Sequence, residues 1–241
     1  MSLAASKKTG RWIARATVHQ VGRRMNGTIE NRLPPTAGST TEATVQILDR
    51  CTPDILAGLV ADGGLGAFGH YSPPAAMRQL GALVRVAGLP HGRVLVALEE
   101  KRVVGYLTFH PPDAEGRWAK LPAGHVLELG GIEVGRGRRD RGLAKALMRQ
   151  AFSTPDFDRA IIYAQALTWC WDLEGSGLSR ADYRLMMLRL FAAYEFQPCT
   201  TDEPNIRYDR ANLLLVRVGH EAPNALLQQF RATLIGPSAE R

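Results

Sequence analysis

The sequence predicts an α/β fold in which a mixed, mostly antiparallel sheet is flanked by helices, and three observations predict it. Segments with strand or helix periodicity follow one another in the order strand, helices, a meander of three strands, helix, strand, helix, strand. Two strands of the meander are separated only by the polar turn Glu99-Glu100-Lys101-Arg102, which marks an antiparallel hairpin. The third runs through a basic, glycine-bearing turn straight into an amphipathic helix, so one parallel crossover is expected around that helix.

The elements are justified in turn along the chain. Residues 1–40 read as a basic, low-hydrophobicity arm ending in Pro34-Pro35-Thr36-Ala37-Gly38-Ser39, expected to be solvated and disordered. Glu42 to Leu48 alternates polar and apolar residues as a strand. Thr52 to Leu59 is a short helix, with Thr52 as N-cap and Pro53 at its first position. A glycine-rich loop follows, from Gly63-Gly64 to Gly69. A helix from about Pro74 to Ala87 carries its apolar face on Met77, Leu80, Leu83 and Val84 and stops at Gly88 and Pro90. The hairpin strands are Arg93 to Leu98 and Val103 to Phe109, and the third strand is Val126 to Val134. Beyond its helix come a strand from Arg159 to Ala166, an apolar helix from Arg180 to Tyr194 and a strand from Ala211 to Val218. Leu226, Phe230 and Leu234, at a spacing of four, make a C-terminal amphipathic helix within a final segment, 221–241. The folded domain itself is placed at 41–220.

Composition narrows the function classes. With 241 residues, 45% apolar and 22% charged, the chain is an ordinary globular protein with one main domain. No apolar run approaches the roughly 18 residues of a membrane span, and the N-terminus has no apolar core of a secretory signal. A cytoplasmic protein without a membrane partner is expected. Seven basic residues (Lys7, Lys8, Arg11, Arg15, Arg23, Arg24, Arg32) against Glu30 give residues 1–41 a charge of +6 out of the net +7. The folded part is therefore nearly neutral, and nucleic acid is not an expected partner. Cys51, Cys170 and Cys199 are odd in number and far apart, as in a reducing compartment. The six histidines stand singly, so no metal site is expected.

The chemistry concentrates at Gly130 to Leu147. Several backbone N–H groups converge on one anion at the first turn of a helix, where the leading donors lack intrahelical partners. Gly142 lets the backbone come close, and Ala144 avoids a clash. Leu143, Ala146, Leu147 and Ala151 form the packing face, while Arg141, Lys145 and Arg149 form a cationic line four residues apart. Neither G-x-x-x-x-G-K-[ST] nor G-x-G-x-x-G with its ribose-binding acid is present. The hexapeptide Arg139-Asp140-Arg141-Gly142-Leu143-Ala144 instead fits [R/Q]-x-x-G-x-[G/A]. It resembles the pyrophosphate loop of the GNAT acyl-CoA N-acyltransferases, and the order of elements is the GNAT order.

The resemblance extends to one family. Pro73-Pro74, Ala87-Gly88-Leu89-Pro90, Val104 to Phe109, Glu128 to Val134, Trp171 to Leu178, Tyr183-Arg184-x-Met186-Met187 and Thr201-Asp202-Glu203-Pro204 are collinear over residues 70–220. They are similar to segments of the acetoin-utilization acetyltransferases, the AcuA family. The resemblance implies a protein lysine N-acetyltransferase that uses acetyl-CoA as co-substrate, without a metal, and inactivates AMP-forming acetyl-CoA synthetase, its protein partner. Acetylation of a small amine and a non-catalytic acyl-CoA-sensing module are the alternative readings.

That chemistry needs a base, because a lysine with a pKa of about 10.4 is almost wholly protonated at pH 7. In the GNAT fold a carboxylate on the central strand serves. Glu133, next to the cradle, is favoured, and Glu128 is the rival. Five residues apart, the two face opposite sides of a regular strand, and a bulge would reset the alternation. A backbone N–H around Ile132 to Val134 is expected to hold the oxyanion, and Arg139, Asp140, Arg141, Gly142, Leu143, Ala144 and Lys145 to hold the cofactor phosphates. The tyrosine that commonly reprotonates the thiolate is replaced by Phe191, leaving Tyr183 and Tyr194 as substitutes. Trp169 and Trp171 are read as walls of the channel for the lysine stem, with Asp172 or Glu174 attracting its ammonium.

Overall fold

The computed structural model describes residues 44–67, 71 and 73–236, so the basic arm and Glu42 lie outside the described residues. The strands are β1 (Val45–Leu48), β2 (Val60–Ala61), β3 (Arg93–Glu99), β4 (Arg102–His110), β5 (Val126–Val134), β6 (Ile161–Ala166), β7 (Gln197–Cys199) and β8 (Leu213–Val218). The helices are α1 (Pro53–Ala57), α2 (Pro73–Ala87), α3 (Leu143–Ala151), α4 (Leu173–Ser176), α5 (Arg180–Ala192), α6 (Pro204–Arg207) and α7 (Asn224–Ala232).

The sheet has the order β1-β3-β4-β5-β6-β8-β7, with β2 paired in parallel to the start of β4. Along that order every neighbour is antiparallel except β5 and β6, which α3 connects. The mostly antiparallel sheet with one crossover is therefore as the element order predicts.

Strand alternation sends side chains to two faces. Leu95, Leu107, Phe109, Leu129, Ile132, Ile162 and Leu215 face α3 and α5 and form the largest core cluster. On the opposite face, Val94, Val96 and Tyr106 pack beneath α1 and α2. Val126, Ile161, Tyr163, Leu214 and Val216 pack beneath α7 and Trp118. The two clusters of this second face are separated by polar residues of β4, β5 and β6, where the site lies.

Local signals worked where the chemistry was local. Thr52 Oγ1 accepts from the Ile55 amide at 3.3 Å, and Ser179 caps α5 through the Asp182 amide at 3.1 Å. The face of α2 differs from expectation at one position: Met77 is 78% exposed, while Leu83 is buried and Leu80 and Val84 pack partly buried against the cluster, joined by Ala76, Gln79 and Val86. The helix predicted to reach Tyr194 ends at Ala192, because Glu195 turns the chain with φ +67°. The short elements β2, β7, α4 and α6 exist through tertiary pairing and capping and carry no periodicity of their own.

The C-terminal segment is part of this core. Phe230 is 1% exposed, stacks on Trp118 at 6.1 Å and approaches Tyr163 at 6.4 Å. We expect Phe230→Ala to cost about 3–5 kcal/mol, measured as a lowered urea midpoint for the whole domain; local fraying of α7 with an unchanged midpoint would contradict this.

Candidate active site

The central strand carries a bulge. Along β4 and β5, Thr108 faces Gly131 and the next pair is Phe109 with Leu129, which leaves Gly130 without a partner. The extra residue resets the alternation. Glu128 and Glu133, five apart, therefore project from the same face, beside Tyr106, Thr108 and His110 of β4. Gly131 has no side chain and leaves that face low between the two carboxylates.

The neighbouring pair is interrupted at the same level. β5 and β6 are matched only as Val126 with Ile161, Leu127 with Ile162 and Glu128 with Tyr163. From Leu129 onward β5 pairs with β4 alone, so its other edge lines an opening that widens toward the cradle. Glu128 stands at the vertex. Its Oε2 accepts from the Tyr163 hydroxyl at 3.0 Å and its Oε1 from Gln165 Nε2 at 3.5 Å.

Glu133 has a different setting. It is 0% exposed, and its Oε1 accepts from the backbone N–H groups of Gly66 at 2.9 Å and Ala67 at 3.0 Å. Gly66 is required there: its φ is +106°, and a Cβ would fall 2.7 Å from that of Ala75. Burial holds the Glu133 carboxyl above the ordinary range, opposed by the Tyr106 hydroxyl, the two amides and the charge of Arg139. Tyr106 Oη lies beside the carboxyl but outside good hydrogen-bond geometry with Oε2. Glu133 thus anchors the loop between β2 and α2.

The cradle opens α3 as expected. Gly142 caps the helix in the left-handed region, φ +74°, and Asp140 before it is also left-handed at +63°. Among the described residues, no acceptor is paired with the N–H groups of Arg141, Gly142, Leu143, Ala144 and Lys145, which is the donor set an anion needs. The side chains of Arg141, Lys145 and Arg149 are exposed, and none has an ion pair among the described residues.

The other arginines of the turn are committed internally. Arg138 forms a bidentate pair with Glu99, both contacts 2.6 Å. Arg136 clamps Asp172 with contacts of 2.8 and 2.6 Å, and Arg139 Nη1 reaches the same carboxylate at 2.6 Å. Arg139 also donates to Tyr71 Oη at 2.9 Å, while Arg136 lies 3.8 Å over the Tyr71 ring. Burial by itself would raise the Asp172 pKa, but Arg136, Arg139 and the Gly175 amide outweigh it and hold the carboxyl well below the usual range. The carboxylate expected to attract a substrate ammonium is therefore already matched by two guanidiniums. Arg139, expected among the residues that hold the phosphates, has its side chain engaged by Asp172, Tyr71 and the Val134 carbonyl.

This geometry agrees with the comparisons with known proteins. Residues 62–156 match the Acetyltransferase (GNAT) family. Over 153 residues the chain is 33% identical to the acetoin utilization protein AcuA of Bacillus licheniformis, covering 64% of this chain and 73% of that one. The Bacillus subtilis AcuA is 32% identical over 179 residues, 74% of this chain and 83% of the relative. The chain belongs to the AcuA family of GNAT acetyltransferases. A crystal structure of the acetoin utilization protein from Exiguobacterium sibiricum superposes with a TM-score of 0.75 at 32% identity, covering 87% of this chain and 97% of that one. The chain is thus an N-acetyltransferase with acetyl-CoA as its co-substrate. Among the described residues no helix is long and apolar enough to cross a membrane, and no group of His, Cys, Asp and Glu is arranged to hold a metal.

Within this AcuA-family site the remaining expected residues separate. Trp171 is 7% exposed and stacked on Tyr183 at 4.9 Å, so it belongs to the core under α5. Trp169 is 44% exposed and meets Tyr208 edge-on at 5.5 Å. The Glu174 side chain is 95% exposed, 4.0 Å from Arg136. Phe191 is buried edge-on against Phe196, and Tyr194 donates its hydroxyl to the Lys145 carbonyl at 2.7 Å. Tyr194 therefore holds the first turn of α3. Tyr71 and Gln165 were not foreseen, since each stands alone in sequence and acquires meaning only across the opening.

The two buried carboxylates have opposite linkage. Asp172 has a lowered pKa, so its contribution is present above the ordinary carboxylate range and lost as pH falls through it. We expect Asp172→Asn to cost about 3 kcal/mol at pH 7, the low end for a broken buried pair because the Arg136 side chain is 38% exposed, with the gap to wild type narrowing only once pH falls below the ordinary aspartate value of 3.8. Glu133 has a raised pKa, so its ionisation destabilises the fold as pH rises from the ordinary range. Glu133→Gln should gain stability relative to wild type over the same rise. Thermal melts of the three proteins at several pH values check both signs.

Proposed function

We propose that this chain acetylates a lysine side chain of a protein, with AMP-forming acetyl-CoA synthetase as its acceptor. The observation that carries an amine-directed reaction is Glu128 at the vertex where β5 and β6 part, on the face left polar between two apolar clusters. The family membership supports the protein acceptor, through the resemblance of residues 70–220 to the lysine-modifying acetyltransferases.

In this reading the CoA pyrophosphate lies on the N–H groups of Arg141 to Lys145, with Arg141 and Lys145 adding charge. The pantetheine arm, comparable in length to a short extended peptide and bearing two amides, runs down the unpaired edge of β5. Backbone groups of Ile132 and the Val134 N–H pair with it as a missing strand would, the Val134 carbonyl being taken by Arg139 Nε at 3.3 Å. The thioester then reaches the bulge, close to Glu128 and several residues from the cradle. This reach reverses the order of the two bases: Glu128 takes the amine proton, and Glu133, with Oε1 engaged by two amides, keeps the loop over the site. Loss of the proton frees the lone pair to attack the carbonyl carbon. The C–N bond forms, the oxyanion is held by N–H groups of the bulged strand, the tetrahedral nitrogen gives its second proton to solvent, and the C–S bond breaks to release the thiolate. With a pKa near 8.5, the thiolate needs no dedicated acid and takes its proton from water.

Transfer of labelled acetyl from acetyl-CoA to purified synthetase, with a synthetase lacking its catalytic lysine as control, tests the acceptor. Label on the normal protein alone, with synthetase activity falling in step, is the expected result, and no label on either rejects it. We expect Glu128→Gln to lower kcat by about 10²–10⁴-fold, with acetyl-CoA affinity unchanged. A larger loss in Glu133→Gln than in Glu128→Gln would restore Glu133 as the base.

A further inference from the structure

We propose that Gln165 holds and orients the acceptor amine, which no sequence motif suggested. The inference rests on the N-acetyltransferase assignment and on Glu128 lying at the reacting centre.

Gln165 is the first β6 residue on the polar face beyond the last pair with β5, Glu128 with Tyr163. It pairs with Leu214 of β8 on one side and borders the opening on the other. The Glu128 carboxylate can only accept, so the carboxamide turns its Nε2 toward Oε1, at 3.5 Å, and the Tyr163 hydroxyl serves Oε2 at 3.0 Å. That orientation leaves Gln165 Oε1 as a buried acceptor without a partner. A buried acceptor left alone is costly, and it is complementary to a donor.

An amine is a donor of the right kind. An incoming ammonium carries three N–H bonds, of which Glu128 can receive one and Gln165 Oε1 a second. Once Glu128 has removed its proton, the amine must aim its lone pair at the thioester carbon while its remaining N–H bonds point away. The Gln165 oxygen, beside the base on the β6 side of the opening, fixes one of them. Gln165 is thus a positioning residue: it makes no bond and moves no proton. The Thr108 hydroxyl, also buried without a partner, lies across Gly131 on the same face and continues the polar lining.

The test uses Gln165→Met, which keeps the length and removes the oxygen. Binding of two probes is measured by calorimetry on the full chain: acetyl-CoA, and a conjugate in which the CoA sulfur is joined through an acetyl bridge to the side-chain nitrogen of N-acetyl-lysinamide. In the variant we expect acetyl-CoA affinity within about twofold of wild type and conjugate affinity weaker by about tenfold, the loss of one hydrogen bond. The pH dependence of turnover separates the other role, since a residue that only supports Glu128 would move the acid limb of kcat/KM and leave conjugate affinity alone. That pattern, or equal weakening of both probes, overturns the inference. A wild-type protein that binds the conjugate no better than acetyl-CoA lacks an amine subsite, and rejects the proposed function together with this inference.

Discussion

Parallel pairing between β5 and β6 stops after Glu128 and Tyr163, and the rest of the site follows from that early separation. A strand inside a sheet normally satisfies the backbone groups on both its edges, and an edge left open must find other partners. Here the open edge runs from the vertex up to the helix N-terminus at Gly142, so one continuous line of donors and acceptors joins the reacting end to the phosphate end. The bulge at Gly130 adds what the separation alone lacks. Without it Glu128 and Glu133 would face opposite layers, one of them buried against α3 and α5 in the largest apolar cluster.

Charge at the cradle is divided between two duties. Arg136, Arg138 and Arg139 face carboxylates of their own chain and tie the turn to Asp172, Tyr71 and Glu99. Arg141, Lys145 and Arg149 are left to solvent and to an anion. Partly buried bidentate pairs fix geometry, because each lost partner leaves a charge uncompensated. The exposed cations fix no geometry but attract a polyanion over a Debye length of about 8 Å at physiological salt. The same turn is thereby rigid where it meets the protein and adaptable where it meets the ligand. Glu133 and Arg139 extend these contacts to Gly66 and Tyr71, which follow β2 in the chain.

Much of the fold was legible in the sequence, because periodicity and capping are local. Strand β5 has the predicted limits, and Thr52, Gly142 and the Glu99 to Arg102 turn act as their residue types suggest. The exceptions lie where spacing alone is not enough. Met77 is apolar at helical spacing and yet exposed, while Leu83 on the same helix is buried. Glu195 stands in the left-handed region that usually favours glycine, so the end of α5 carries no glycine signal in the sequence.

The sequence by itself determined the fold class, the place of the anion cradle and the family, since each rests on residues adjacent or regularly spaced along the chain. It also identified Glu128 and Glu133 as the carboxylates of the central strand. Only the tertiary structure decided which role each can fill, because a carboxylate's role depends on what saturates its oxygens: backbone amides from a distant loop for Glu133, and Tyr163 and Gln165 for Glu128. The same reason removes Asp172 from the substrate's reach and turns Arg139 inward. Partners more than thirty residues apart in sequence leave no local pattern, and it is they that fix the electrostatics of the site.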